Sequence, residues 1–144
     1  MKKNKKMQIV YWKIDDRYYG AEIKYCIETQ KNIEILKIPY AQSYISGVAN
    51  FRGDVITVLE LPTLIYKKKI QGRIRDVVIR FQHEDKSIAI SSDTLPEVMA
   101  IEKENLKDAE DYLDSLELEY ISKVFDIKEG MVMILNIPNL WLVK

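Results

Sequence analysis

Cysteine and histidine are almost missing from this chain: 144 residues hold one of each, Cys26 and His83. That excludes a disulfide framework, a clustered Cys/His zinc site, and any Cys-His or Ser-His dyad not built on His83. A charge of one sign is missing too, because 22 Lys plus Arg balance 22 Asp plus Glu. Zero formal net charge argues against a dedicated nucleic-acid binder. The longest apolar run, Met131 to Leu135, is far below the roughly 20 residues that cross a bilayer, so no direct membrane insertion is expected. Lys2, Lys3, Lys5 and Lys6 make residues 1–6 a basic tail. No apolar stretch or small-residue cleavage site follows it, so no signal peptide is expected and the cytoplasm is the natural compartment. Glycine is sparse: neither GxxxxGK[ST] nor GxGxxG occurs, and Gly47 and Gly53 are too few to cradle a phosphate.

What is present is enough for one folded domain. A chain of this length, 47% hydrophobic, can remove roughly two thirds of its unfolded surface from water without disulfide or metal staples. It also contains itself twice. Residues 44–65, YISGVANFRGDVITVLELPTLI, align without a gap on residues 120–141, YISKVFDIKEGMVMILNIPNLW, at an offset of 76. Seven of the 22 positions are identical, where background composition predicts roughly one or two. Upstream of each copy lies a hairpin pattern. Ile9 to Ile14 and Tyr18 to Ile23 flank Asp15-Asp16-Arg17; Val77 to Phe81 and Ser87 to Ile90 flank His83-Glu84-Asp85-Lys86. The chain therefore reads as two versions of one plan, joined near residues 67–75. Many short strands at this spacing favour small closed barrels, approximately residues 7–70 and 71–144 of a single domain over 7–144. Gly53 and the Lys128-Glu129-Gly130 segment supply the repeat's own hairpin turns, and Pro62 and Pro138 each end a strand and open a short helical turn.

One longer helix is expected at Glu104 to Leu118, where Leu106, Ala109, Leu113 and Leu116 recur at helical spacing. Its neighbourhood is acidic: residues 102–119 hold eight acids and two bases. Residues 67–80 are the reverse, with Lys67, Lys68, Lys69, Arg73, Arg75 and Arg80 against Asp76 alone. Each run is either a partner-facing surface or solvated loop.

No catalytic pair can be assigned. His83 sits in a charged turn, Cys26 lies between Tyr25 and Ile27 where packing suits it better than reactivity, and a tight turn explains Asp15-Asp16 without a metal. No enzyme, metal or cofactor is expected. The most informative residue is Arg52, set in a turn beside Gly53. It is either an ordinary surface arginine or a rigid fork for a carboxylate, and Glu28 lies where such pairing in space is feasible.

At these residues the sequence resembles the CheW family, the chemotaxis coupling proteins and the related regulatory domains of chemotaxis kinases. The family pattern Gly-Val-x-Asn-Leu-Arg-Gly-x-Val-x-Pro-Val-x-x-Leu is followed by Gly47 to Leu61, with Phe51 for Leu and Thr57 for Pro. The first hairpin, with Tyr19-Gly20 and then Glu28, matches as well. In the second copy Lys123 replaces Gly47, and Ser92-Asp93-Thr94-Leu95-Pro96 replaces a more apolar stretch. The resemblance implies an all-β fold of two SH3-like five-stranded β-barrels sharing an apolar interface, with short helical turns and strand exchange between the barrels. It implies a non-catalytic adaptor joining the cytoplasmic tip of chemoreceptors to the regulatory domain of a histidine kinase, recruited to membrane-associated receptor arrays. Receptor coupling would fall on Glu28, Asn50, Arg52 and Gly53, and kinase binding on Val10, Ile23 and Cys26. A nucleic-acid-binding barrel using residues 67–80 is the competing reading, weakened by having only Tyr66 and Phe81 at its edges for stacking.

Overall fold

The computed structural model describes residues 6–68 and 75–142. Among them the chain runs through β1 (Lys6–Ile14), β2 (Arg17–Glu22), β3 (Cys26–Lys31), β4 (Ile35–Leu36), β5 (Ile45–Phe51), β6 (Asp54–Leu59) and the short helix α1 (Leu61–Tyr66). It continues through β7 (Val77–His83), β8 (Lys86–Ser92), β9 (Glu97–Glu102), β10 (Lys107–Asp108), α2 (Ser115–Leu118), β11 (Ile121–Ile127) and β12 (Gly130–Leu135), ending in a 3-10 segment, Ile137–Leu142.

The strands form two six-stranded sheets with the same plan. One has the order β10-β11-β12-β2-β1-β9 and the other β4-β5-β6-β8-β7-β3. Each sheet joins the repeated strand pair of one half to the hairpin of the other half. β2 runs parallel to β12 and β8 parallel to β6, whereas every other described strand pair in the two sheets is antiparallel. The all-β expectation is met, with a two-residue sixth strand, β4 or β10, at one edge of each sheet.

The repeat identities sort by what they hold. Tyr44/Tyr120, Ile45/Ile121, Leu59/Leu135 and Leu64/Leu140 all pack into one large core shared by the two sheets. Ser46 and Ser122 are the extra residues at matching bulges, where the register skips between Ile45 and Gly47 and between Ile121 and Lys123. Pro62 and Pro138 open α1 and the terminal 3-10 segment. Each sheet also encloses a smaller core of its own: Ala49, Phe51, Ile56, Val58, Val78 and Ala89 in one; Ile9, Ile101, Phe125, Val132 and Ile134 in the other. Two minor cores and one shared major core make the sheets mutually dependent.

The expected helix over Glu104 to Leu118 is not there. Residues 103–105 and 109–111 are single 3-10 turns, Lys107 and Asp108 pair with β11, and only Ser115–Leu118 is helical. The apolar residues that gave the helical spacing serve different cores: Leu106 packs into the minor core of its sheet, Ala109 and Leu113 into the shared one. A single helix face could not reach both. α2 is instead fixed by a capping box, with Asp114 accepting from the Leu116 and Glu117 backbone and Glu117 Oε1 accepting from the Asp114 amide.

The basic run of residues 67–80 is likewise no free stripe. Arg75 is buried, its side chain 1% exposed, and converges with three carboxylates. Nη1 donates to both Glu60 oxygens at 2.6 and 2.9 Å, Nη2 to Asp15 at 3.2 Å, and Nε lies 3.5 Å from Asp93. Burial raises the Glu60 carboxyl above its ordinary range, against the pull of Arg75. The cluster ties the β1–β2 turn to segments bordering β6, β7 and β8, and so ties one sheet to the other. Arg80 is also drawn inward, and Lys67 pairs with Glu119 at 3.7 Å. Lys69 and Arg73 lie outside the described residues.

Candidate functional site

The turn joining β5 to β6 is only two residues long, Arg52-Gly53. Both have positive φ, 53° and 97°, as the tight hairpin turn matching strand twist demands. Gly53 takes this freely; Arg52 does so at a cost of about 1 kcal/mol. Two contacts hold the strained residue. Asn50 Oδ1 accepts from the Gly53 amide at 2.7 Å, closing the turn from below. Glu28 Oε1 accepts from Arg52 Nη2 at 2.6 Å. The Arg52 side chain stays 76% exposed while Glu28 is 14% exposed, so the carboxylate is a fixed base and the guanidinium a presented head.

Glu28 owes its position to β3, an edge strand whose register skips between Cys26 and Glu28. The bulge pairs Glu28 with Arg80 on β7. Glu28 Oε2 accepts from Arg80 Nη1 at 3.3 Å, and Arg80 Nη2 donates in turn to Asp54 Oδ2 at 3.3 Å. Four alternating charges, Arg52, Glu28, Arg80 and Asp54, thus form one chain that begins and ends on the same hairpin.

All four residues expected at the receptor-coupling site, Glu28, Asn50, Arg52 and Gly53, therefore meet at one turn. The other three do not form one surface. Ile23 is 38% exposed in the 3-10 turn before β3, and Cys26 is half-buried. Val10 is buried in the shared core at 3% exposure, which rules its side chain out as a surface contact. Its alternation on β1 turns it to the same side as Trp12 and Ile14, both buried in that core. Ile27, which sequence reasoning passed over, is 47% exposed beside Ile23 and Cys26 on the chain. Arg80 and Asp54 were missed too. The signal for Arg80 was a lone cation inside the apolar run Val77 to Phe81, which no solvated face explains. Burial raises the Cys26 thiol, consistent with packing. Asp15, proposed only as turn chemistry, has φ of 55° at the β1–β2 turn and faces Arg75. His83 ends β7, with its ring 5.9 Å from that of Tyr25.

The site is not duplicated in the other sheet, although the fold repeats. In register, Tyr11 and Glu97 pair on β1 and β9 where Arg80 and Glu28 pair on β7 and β3. At the offset of 76, Lys128 and Glu129 replace Arg52 and Gly53. Neither has positive φ, so the turn differs in kind.

Comparison with known proteins agrees with this architecture. The family model of the CheW-like domain matches residues 8–142. The chemotaxis protein CheW of Treponema pallidum is 22% identical over 142 residues, covering 96% of this chain and 84% of that protein. That of Klebsiella aerogenes is 20% identical over 133 residues, covering 92% and 80%. The crystal structure of the scaffolding protein TtCheW from Thermoanaerobacter tengcongensis superposes with a TM-score of 0.77 at 21% identity, over 90% of this chain and 88% of that one. Two sheets interleaved by hairpin exchange, a shared core, and a family match over almost the whole sequence lead to one conclusion: this chain belongs to the CheW family of chemotaxis coupling proteins.

Proposed function

We propose that this protein links the cytoplasmic tip of chemoreceptors to the regulatory domain of a histidine kinase, and that the Arg52 turn is its receptor-coupling element. The family is a scaffold rather than an enzyme, so function rests on surfaces that two partners can occupy together. Linking two weak interfaces raises the effective concentration of each partner for the other. The observation that carries the receptor side is the Glu28–Arg52 pair: an exposed guanidinium, oriented by a fixed carboxylate, offers its remaining donors to a partner carboxylate. Ile23 and Ile27 support the kinase side, being exposed aliphatics on or beside an edge strand with half-buried Cys26 between them. Val10 contributes there only from beneath, by holding β1 in the core. The protein then works in the cytoplasm, at membrane-associated receptor arrays. Among the described residues no helix is long and apolar enough to cross a membrane.

Reconstitution tests this directly. Receptor cytoplasmic fragments arrayed on vesicles, kinase and this protein together should raise kinase autophosphorylation, and omission of this protein should abolish the rise. Arg52→Glu should remove stimulation while kinase binding persists. Equal stimulation without the protein, or with Arg52→Glu, contradicts the proposal.

A further inference from the structure

Arg80 is the unexpected residue of this fold. Val78, two positions before it on β7, and Ala89, opposite it on β8, are both fully buried in the minor core. A guanidinium at the edge of such a core is costly unless every donor finds an acceptor. Here the guanidinium carbon lies 5.8 Å from the Phe51 ring centroid. Its nitrogens reach Glu28 and Asp54 at 3.3 Å and Ser87 Oγ at 3.2 to 3.3 Å.

The two Glu28 oxygens are divided between two arginines. Oε2 faces Arg80; Oε1 takes Arg52 at 2.6 Å and the Gln30 amide at 3.3 Å. Arg80 also grips Asp54, the residue directly after the Arg52-Gly53 turn. One cation at the edge of the core, its side chain 12% exposed, therefore holds both the carboxylate that orients Arg52 and the hairpin that carries it. The corresponding position of the other sheet is Tyr11, paired in register with Glu97, and the turn there places Lys128 and Glu129 where this one has Arg52 and Gly53, neither at positive φ.

We infer that Arg80 is a positioning residue for the receptor-coupling turn, acting through Glu28 and Asp54 to fix where the Arg52 guanidinium is presented to a partner carboxylate. The inference rests on the proposed role of the Arg52 turn. Because Arg80 pins Glu28 from the inside, Arg52 can share its donors with an incoming carboxylate without leaving Glu28 uncompensated. Arg52 supplies the contact, and Arg80 its geometry.

Arg80→Leu tests this, since leucine fills the space against Phe51 while deleting the charge. Two readouts are needed. In the free protein, nitrogen NMR of the Arg52 guanidinium at low temperature reports hindered rotation while the pair with Glu28 is held. Titration with a soluble receptor cytoplasmic fragment reports coupling. In folded Arg80→Leu the Arg52 signals should average, and fragment binding should weaken about tenfold, the effect of losing one oriented charge-assisted contact. Arg80→Leu added to Glu28→Gln should then cost less than it does alone. Unchanged Arg52 signals in a folded Arg80→Leu, or a loss that adds in full to that of Glu28→Gln, overturns the inference. Absence of binding by the wild-type protein contradicts the proposed function instead, and the NMR readout then decides the role of Arg80 by itself.

Discussion

Trp12 and Phe81 occupy the same position of the two hairpins, each three residues before its turn, and their rings meet in the shared core with centroids 5.4 Å apart and planes inclined at 42°. Trp12 belongs to one sheet and Phe81 to the other, so hairpin exchange brings equivalent residues of the repeat face to face. Both are almost wholly buried.

The sheets should accordingly unfold together. Trp12→Ala or Phe81→Ala is expected to cost about 3–5 kcal/mol, the usual price of an aromatic-sized cavity. Urea melts followed by far-UV circular dichroism and by fluorescence should coincide in the wild type; separated transitions would mean that the two sheets are independent units.

Two glycines of the repeat should respond differently to the same change. A Cβ on Gly47, at φ 149°, would lie 2.2 Å from the Leu36 carbonyl oxygen, whereas one on Gly53, at φ 97°, meets nothing within 4 Å. Gly47→Ala should lift β4 off the sheet and destabilise by more than about 2 kcal/mol. Gly53→Ala should cost only the dihedral penalty of about 1 kcal/mol. Chemical denaturation distinguishes them, and equal losses would show that strain rather than contact governs both sites. Lys123, at the place of Gly47 in the second copy, instead reaches out to Asp108 at 2.5 Å across the equivalent edge.

Glu60 gives a pH signature. Its folded carboxyl is raised, chiefly by burial, so the folded state binds its proton more tightly than the unfolded state. Its contribution to stability therefore grows as pH falls from neutrality through the folded pKa, and is lost again as pH rises. Glu60→Gln should flatten the pH dependence of stability on the acid side of neutrality. An unchanged slope across that window would contradict the assignment.

Val10 and Ile23 separate packing from contact. Val10→Glu buries an unpaired charge in the shared core and should destabilise by at least about 3 kcal/mol. Ile23→Glu lies at a partly exposed turn and should change stability by less than about 1 kcal/mol. Thermal melts of the two variants decide this, and a comparable loss in both would show Ile23 to be core as well.

The repeat, the two hairpin patterns, the strand-ending prolines and the turn at Gly53 were legible because each is a short-range signal. Hairpin exchange was not legible in the residues themselves: the β2–β12 and β6–β8 pairings join segments far apart in sequence, and either hairpin has the right pattern for either sheet. Burial of Arg75 was hidden for a related reason. Its carboxylates come from residues 15, 60 and 93, so locally it read as one more cation in a basic run. The acidic segment misled because Leu106 and Ala109 have helical spacing yet belong to different cores. At the site, Glu28 and Arg52 could be matched as chemistry, whereas Arg80 stood out in the sequence only as a cation in an apolar run, and its partner came from the β3 bulge that sets it opposite Glu28.

The most direct test of the adaptor account is a calorimetric titration of this protein with the regulatory domain of a chemotaxis histidine kinase from the same cell, using Ile23→Glu and Arg52→Glu as paired controls. Saturable binding that is lost in folded Ile23→Glu and kept in Arg52→Glu is the predicted result. No binding by the folded wild-type protein, or equal binding by Ile23→Glu, would contradict it.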